Sequence, residues 1–158
     1  MSLSDFLEPD RRWMQLALKE AERAYDEGEV PIGAVVVHAG EVVGRGRNMV
    51  ERLQDPTAHA EIIAVTAACE TLGTKVLRGC SVYVTIEPCP MCSGALVWAK
   101  IDRLVFGAFD DKAGAAATLF NIPQDRRLNH QMEVVSGVES GAAAGLMQTF
   151  FRERRVGL

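Results

Sequence analysis

Apolar and polar positions along the chain fall into blocks of two different periods. After Asp10, a residue type that caps helices, Trp13, Leu16, Ala17, Ala21, Ala24 and Tyr25 recur at helical spacing and Gly28 follows. That pattern predicts a first helix over Arg11–Glu27. Ile32–His38 is an apolar, β-branched run, and Ala39-Gly40 separates it from a second run, Glu41–Arg47, which together predict a hairpin. The polar stretch Met49–Thr57 reads as a loop. Ala58–Leu72 reads as a helix stopped by Gly73, Ser81–Ile86 as a strand, Pro90–Lys100 as a third helix and Leu104–Gly107 as another strand. A long Gly/Ala-rich connection, Ala108–His130, leads to a fifth strand candidate, Met132–Val135, and a last helix, Ser140–Arg154. Strands alternating with helices after an antiparallel start predict an α/β layered sheet with crossover helices.

The 158 residues contain no repeat, low-complexity tract or Pro/Gly/Ser linker, so residues 1–158 read as one domain. With 48% apolar and 24% charged residues the composition is that of a soluble globular protein. Apolar stretches such as Gly141–Met147 fall far short of the ~18 residues of a membrane span. Residues 1–8 carry neither a basic segment nor an apolar one, so they do not read as a signal peptide, and a cytoplasmic location is expected. The 17 basic and 21 acidic residues give a net charge of −4, which disfavours broad, non-specific nucleic-acid binding but allows a local basic patch. Four cysteines in such a chain point to a metal or to catalysis before disulfides.

Two short motifs carry the chemistry, His59-Ala60-Glu61 and Pro88-Cys89-Pro90-Met91-Cys92. Pro90 suits the first position of a helix, where its missing N–H is no loss. Cys89 then lies near the N-cap and Cys92 in the first turn, neighbours on one face. The positive end of the helix dipole lowers a thiol's pKa and prepares it for a metal. His59 follows Asp55-Pro56-Thr57, a stretch of turn and cap character, so it too stands at a helix start. Two facing helix N-termini can thus offer one nitrogen and two sulfurs to one tetrahedral zinc, leaving the fourth position for water. Glu61, beside the ligands but not one of them, can carry protons between the attacking water and a leaving group. A lone CxxC is also compatible with redox chemistry or a structural zinc site, but there is no second CxxC, and thioredoxin-like chemistry would not need His59-Ala60-Glu61. Cys69 and Cys80 read as packing residues.

His-x-Glu followed by Pro-Cys-x-x-Cys is the pattern of the zinc-dependent nucleobase deaminases. Longer strings resemble one branch, the bacterial tRNA-specific adenosine deaminases. They include Glu29-Val30-Pro31-Ile32-Gly33-Ala34, Asp55-Pro56-Thr57-Ala58-His59-Ala60-Glu61, Lys112-Ala113-Gly114-Ala115 and Phe150-Phe151-Arg152-Glu153-Arg154-Arg155. The likeness runs from about Trp13 to Arg155. It implies a three-layer α/β/α cytidine-deaminase-like fold around a five-stranded mixed sheet, and a homodimer with one zinc per chain. The reaction it implies is hydrolytic conversion of the wobble adenosine of a tRNA anticodon loop to inosine. It also implies zinc on His59, Cys89 and Cys92, and proton transfer by Glu61. Asn48 would hold the flipped nucleotide, with backbone of Ala60 and Glu87 near the base edge. Asp110 would approach the RNA backbone, and Phe151 and Arg154 would lie on a helix along the anticodon loop.

The sequence departs from that family's usual pattern at Asp111, at Ala116-Ala117-Thr118 and at Thr74-Lys75, and it lacks the long basic tail of some members. None of these positions belongs to the zinc motifs. Two other readings stand beside the first. Deamination of a free base or nucleoside, guanine or cytosine, would suit the acidic net charge. A non-catalytic zinc-stabilised RNA-binding subunit would be expected to lack the shuttle, and Glu61 is present.

Overall fold

The computed structural model describes the backbone of residues 3–156 and the side chains of 8–155. The side chains of residues 1–7, part of the segment read above for a leader, lie outside the described residues. The first helix, α1, spans Leu3–Asp26, and strands β1 (Gly33–His38) and β2 (Glu41–Arg47) follow. A one-turn helix α2 (Val50–Leu53) precedes α3 (Ala60–Leu72), β3 (Cys80–Ile86), α4 (Pro90–Trp98) and β4 (Arg103–Ala108). A 3-10 turn at Ile122–Gln124 leads to β5 (Glu133–Val135) and α5 (Ser140–Val156).

The strands form one mixed sheet in the order β2-β1-β3-β4-β5. Strand β1 runs antiparallel to both β2 and β3, whereas β3, β4 and β5 are parallel. The hairpin turns on Ala39 and Gly40, with φ of 50° and 76°, the two left-handed residues a two-residue turn needs to match the strands' twist. Both faces of the sheet's centre are covered, because β1, β3 and β4 carry buried, mostly apolar residues on both sides. Ala34, Val36, Val82, Val84, Leu104 and Phe106 pack against α3 and α4. Val35, Val37, Tyr83 and Val105 pack against Met14 and Ala17 of α1, and α5 covers the end of β4. The layered α/β arrangement and the mixed five-stranded sheet are therefore as the sequence indicated.

Helix α3 sits unusually close to the sheet. A β-carbon at Gly46 would lie 2.1 Å from the Ala60 carbonyl oxygen, and one at Gly44 2.3 Å from that of Ala64. Ala60, Ala64 and Ala68, spaced four apart, make the facing stripe, and all three are wholly buried.

Two expectations are corrected. Asp10 does not cap α1, which begins earlier and runs through Pro9. Its carboxylate, buried, instead takes a bidentate pair of bonds from Arg103 of β4, at 2.5 and 2.7 Å, and one from the Tyr83 hydroxyl at 2.9 Å. Burial alone would raise Asp10's pKa, but the bonds from Arg103 and Tyr83 outweigh it and hold the carboxyl below its usual range. Met49–Thr57 is not all loop: Val50–Leu53 winds one helical turn, with the Glu29 carboxylate accepting the N–H groups of Glu51 (3.0 Å) and Arg52 (2.7 Å).

Candidate active site

The candidate site lies where three chain segments meet at the carboxyl end of β3. That strand runs into Glu87-Pro88, and Cys89 then takes the N-cap of α4 with Pro90 at the first position of the helix. His59 takes the N-cap of α3. Neither side chain makes a capping hydrogen bond, although both stand where Ser, Thr, Asp or Asn would usually supply one. Both caps are thus given over to ligand atoms, as the motif spacing indicated.

His59 Nδ1 lies 3.6 Å from Cys89 Sγ and 3.5 Å from Cys92 Sγ, and the three donor atoms fall within 4.8 Å of one another. Two ligands of a zinc tetrahedron, with Zn–N about 2.0–2.1 Å and Zn–S about 2.3 Å, stand about 3.6 Å apart, so this N/S/S set fits the ion. Among the described residues it is the one cluster of three such groups. Cys69 and Cys80 take no part: both are free thiols packed in or against the core, and burial pushes both pKa values up.

The two thiols are shifted in opposite directions. Cys89 is pulled down to about 4, chiefly by the hydrogen bond from Cys92, with burial opposing and His59 adding to it. Cys92 is pushed up by the same bond, by burial and by the Glu61 charge. A bound divalent cation reverses the second effect, because a coordinating thiol is deprotonated outright. The hydrogen bond to Cys89 raises His59's pKa despite burial. Glu61, in the second position of α3, is 4% exposed, and its pKa is pushed up to about 7, first by burial and further by the Cys89 charge.

A cavity of about 320 Å³ opens beside His59 and brings three of the sequence-predicted residues together: Asn48, Phe151 and Arg154 line it, with Glu29 and Phe150. Asn48 is buried, and its Oδ1 accepts the Val50 N–H at 3.1 Å. Arg154 is already engaged: its guanidinium bonds the Gly28 carbonyl and stands 4.4 Å from the centre of the Phe150 ring. Phe150 is buried and Phe151 41% exposed, and both reach the cavity wall. Ala60 is buried at the first turn of α3, against Gly46 of β2.

Asp110 lies apart from this cavity, in a second one of about 370 Å³ whose wall also includes Phe109, Lys112 and Phe151. Its Oδ1 accepts the N–H groups of Lys112 (2.9 Å) and Ala113 (3.2 Å). Glu87, whose backbone the resemblance sets near the base edge, has both carboxylate oxygens occupied by the loop after β4. Burial pushes its pKa up, but the Thr118 hydroxyl and the loop N–H groups win and hold the carboxyl below its usual value. The residue missed altogether is Glu29, which supports α2 and lines the site cavity. The sequence offers no periodic or motif signal for that role.

This fold and ligand set define a class. The chain belongs to the cytidine and deoxycytidylate deaminases, whose zinc-binding-region family model matches residues 7–108. Within that class its relatives are more particular. It is 50% identical over 146 residues to a tRNA-specific adenosine deaminase of Bacillus subtilis, covering 92% of this chain and 91% of that one. To the Aquifex aeolicus protein of the same name it is 45% identical over 143 residues, covering 90% and 94%. A solved structure from work on A-to-I editing by tRNA:A34 deaminases superposes with a TM-score of 0.83 at 43% identity, covering 85% of this chain and 98% of that one. A guanine deaminase of Nitrosomonas europaea superposes at 0.77 with 25% identity, covering 89% and 83%.

Elemental analysis of the purified protein is expected to find one zinc per chain. Cys92→Ala removes one of three ligands and should lose the metal, whereas Glu61→Gln should keep it. Equal zinc in wild type and Cys92→Ala would refute the ligand assignment.

Proposed function

We propose that the chain hydrolyses the wobble adenosine of a tRNA anticodon loop to inosine, releasing ammonia. The observation that carries this is the meeting of His59, Cys89 and Cys92 at tetrahedral spacing, with buried Glu61 beside them and a cavity walled by Asn48 and Phe151. When bound, zinc supplies a water of lowered pKa for attack at C6 of the base. Glu61 would carry two protons in turn, the first from the attacking water to N1 of the base and the second from the new C6 hydroxyl to the amine, which leaves as ammonia. Its position among apolar walls raises its proton affinity, which suits a group that must both accept and donate. Asn48, with Oδ1 committed to Val50, presents its amide N–H groups to a nucleotide, and the Ala60 backbone lies near the base edge. Phe151 offers a stacking face, Asp110 meets the RNA backbone beyond it, and Arg154 holds α5 against the cavity.

Several finer readings belong to the same proposal. Residues 1–158 form one deaminase domain, since β5 pairs with β4 and α5 packs against it beyond the family match. No helix among the described residues is long and apolar enough to cross a membrane, which supports a cytoplasmic enzyme. Leu53 of α2, Met91 and Trp98 of α4, and Leu119 and Phe120 of the loop after β4 are exposed, and large exposed apolar side chains of that kind support the homodimer. Sedimentation equilibrium is expected to give twice the chain mass, and Trp98→Glu to shift it toward one. A wild-type mass of one chain at micromolar concentration would end that part.

The main test is inosine formation on an anticodon stem-loop with wobble adenosine, run beside ammonia release from free guanine, cytosine and adenosine. Glu61→Gln should lose about 10²–10⁴-fold or more in turnover, the range of a general acid–base group. Turnover within about tenfold of wild type would remove the shuttle role. Turnover of guanine alone would favour the reading shared with the Nitrosomonas neighbour.

Charge separates RNA from a free base. Arg152 and Arg155 stand exposed on α5, whereas Arg154 is tied to the Gly28 carbonyl. Converting both to Ala should shallow the log–log salt dependence of stem-loop binding by about 1.4, two phosphate contacts at about 0.7 each. KM should rise with turnover largely kept. Identical slopes would detach that helix from RNA.

A further inference from the structure

We propose that Glu87 is a positioning residue, whose carboxylate holds the loop 110–118 in the shape that receives the substrate. Glu87 is 3% exposed. Its Oε2 accepts the N–H groups of Ala116 (3.1 Å), Ala117 (2.8 Å) and Thr118 (2.9 Å). Its Oε1 accepts the Asp110 N–H at 3.1 Å and the Thr118 hydroxyl. An ionised carboxylate offers about four lone-pair sites, so five donors saturate it and leave none for a base or a proton in transit. The loop also closes over it tightly. A β-carbon at Gly114 would lie 2.4 Å from Glu87 Cδ and Oε1 and 2.5 Å from the Asp110 carbonyl oxygen. Two backbone bonds reinforce the clamp, Ala115 N–H to the Pro88 carbonyl and Glu87 N–H to that of Ala108, each at 2.8 Å.

The loop has turns but no helix or strand over these residues, so the N–H groups of Asp110, Ala116, Ala117 and Thr118 depend on this one acceptor. One end of the clamp is two residues from Cys89. The other sets Asp110 and Lys112, which with Phe109 and Phe151 wall the second cavity, while Phe151 also walls the cavity beside His59. Glu87 therefore ties the segment that carries a metal ligand to the wall that a bound nucleic acid would meet. Without it the loop samples other shapes, and substrate binding must order it. The consequence is a higher KM with little change in turnover. The substrate part of this inference rests on the tRNA reading above; the clamp itself does not.

The test compares wild type with Glu87→Ala, Glu87→Gln, Gly114→Ala and Thr118→Val. Loop amides are followed by hydrogen–deuterium exchange, zinc by elemental analysis, and KM and turnover on the anticodon stem-loop. In Glu87→Ala and Gly114→Ala, exchange over 110–118 and KM should each rise about tenfold or more, the scale of one lost bond to a charged group. Turnover should stay within about threefold and zinc at one per chain. Glu87→Gln, which keeps one acceptor oxygen, and Thr118→Val, which drops one donor, should fall between these and wild type. Should Glu87→Ala fail to fold, Gly114→Ala and Thr118→Val perturb the same clamp from the loop side. Unchanged loop exchange in the folded variants overturns the clamp, and lost turnover at constant KM overturns positioning in favour of a part in the chemistry. Lost zinc would make Glu87 a support of Cys89 instead. A wild type that makes no inosine defeats the tRNA reading alone, and loop exchange still decides the clamp.

Discussion

The carbonyl oxygens of Ala60 and Ala64 occupy the space where β-carbons at Gly46 and Gly44 would stand, and this contact fixes the height of α3 above β2. His59 and Glu61 flank the first of those alanines, so the same contact fixes them. Helix α4 is fixed differently, by following directly from β3 through Pro88 and Cys89. The 3.5 and 3.6 Å separations between one imidazole nitrogen and two sulfurs are the outcome of these two constraints meeting. A candidate metal site assembled from two helix starts would need little reorganisation to bind, and the positions that commonly cap such helices here carry its donor atoms instead.

Three buried glutamates surround the site, and their partners separate their parts. Glu29 spends its carboxylate on two N–H groups of α2 and Glu87 on a loop. Each acts as an internal cap for backbone that lies outside the sheet and the long helices. Glu61 has only its own backbone N–H and the Cys92 thiol beside it, and faces the negative Cys89. Burial and the Cys89 charge outweigh those bonds and the His59 charge and raise its proton affinity, whereas the loop's donors lower that of Glu87. The same residue type therefore serves as scaffold twice and as candidate proton carrier once, and the difference lies in the count of donors.

The walls of the site come from distant parts of the chain. Asn48 follows β2, Glu29 precedes β1, and Phe151 and Arg154 come from α5 near the far end. In this chain the α5 wall is held by Arg154 on the Gly28 carbonyl and by the edge-to-face pair of Tyr25 and Phe150, 6.0 Å apart.

Local chemistry made much of this legible in the sequence. The apolar periods located the strands and long helices, Ala39-Gly40 marked the hairpin, and Pro90 placed Cys89 and Cys92 on a helix start. A ligand set encoded within two short motifs needs only local geometry to be read. The residues that the sequence hid are those whose partners lie far along the chain. Asp10 looks like a helix cap until Arg103, 93 residues on, takes its carboxylate. Met49–Thr57 looks like loop because Glu29, which completes its turn of helix, belongs to another segment. The part of Glu87 is invisible because its donors come 23 to 31 residues later, from a stretch that composition marks only as Gly/Ala-rich. Periodicity reports how a segment meets a core, whereas a buried charge takes its meaning from whichever donors folding brings to it, and those are chosen by the tertiary structure alone.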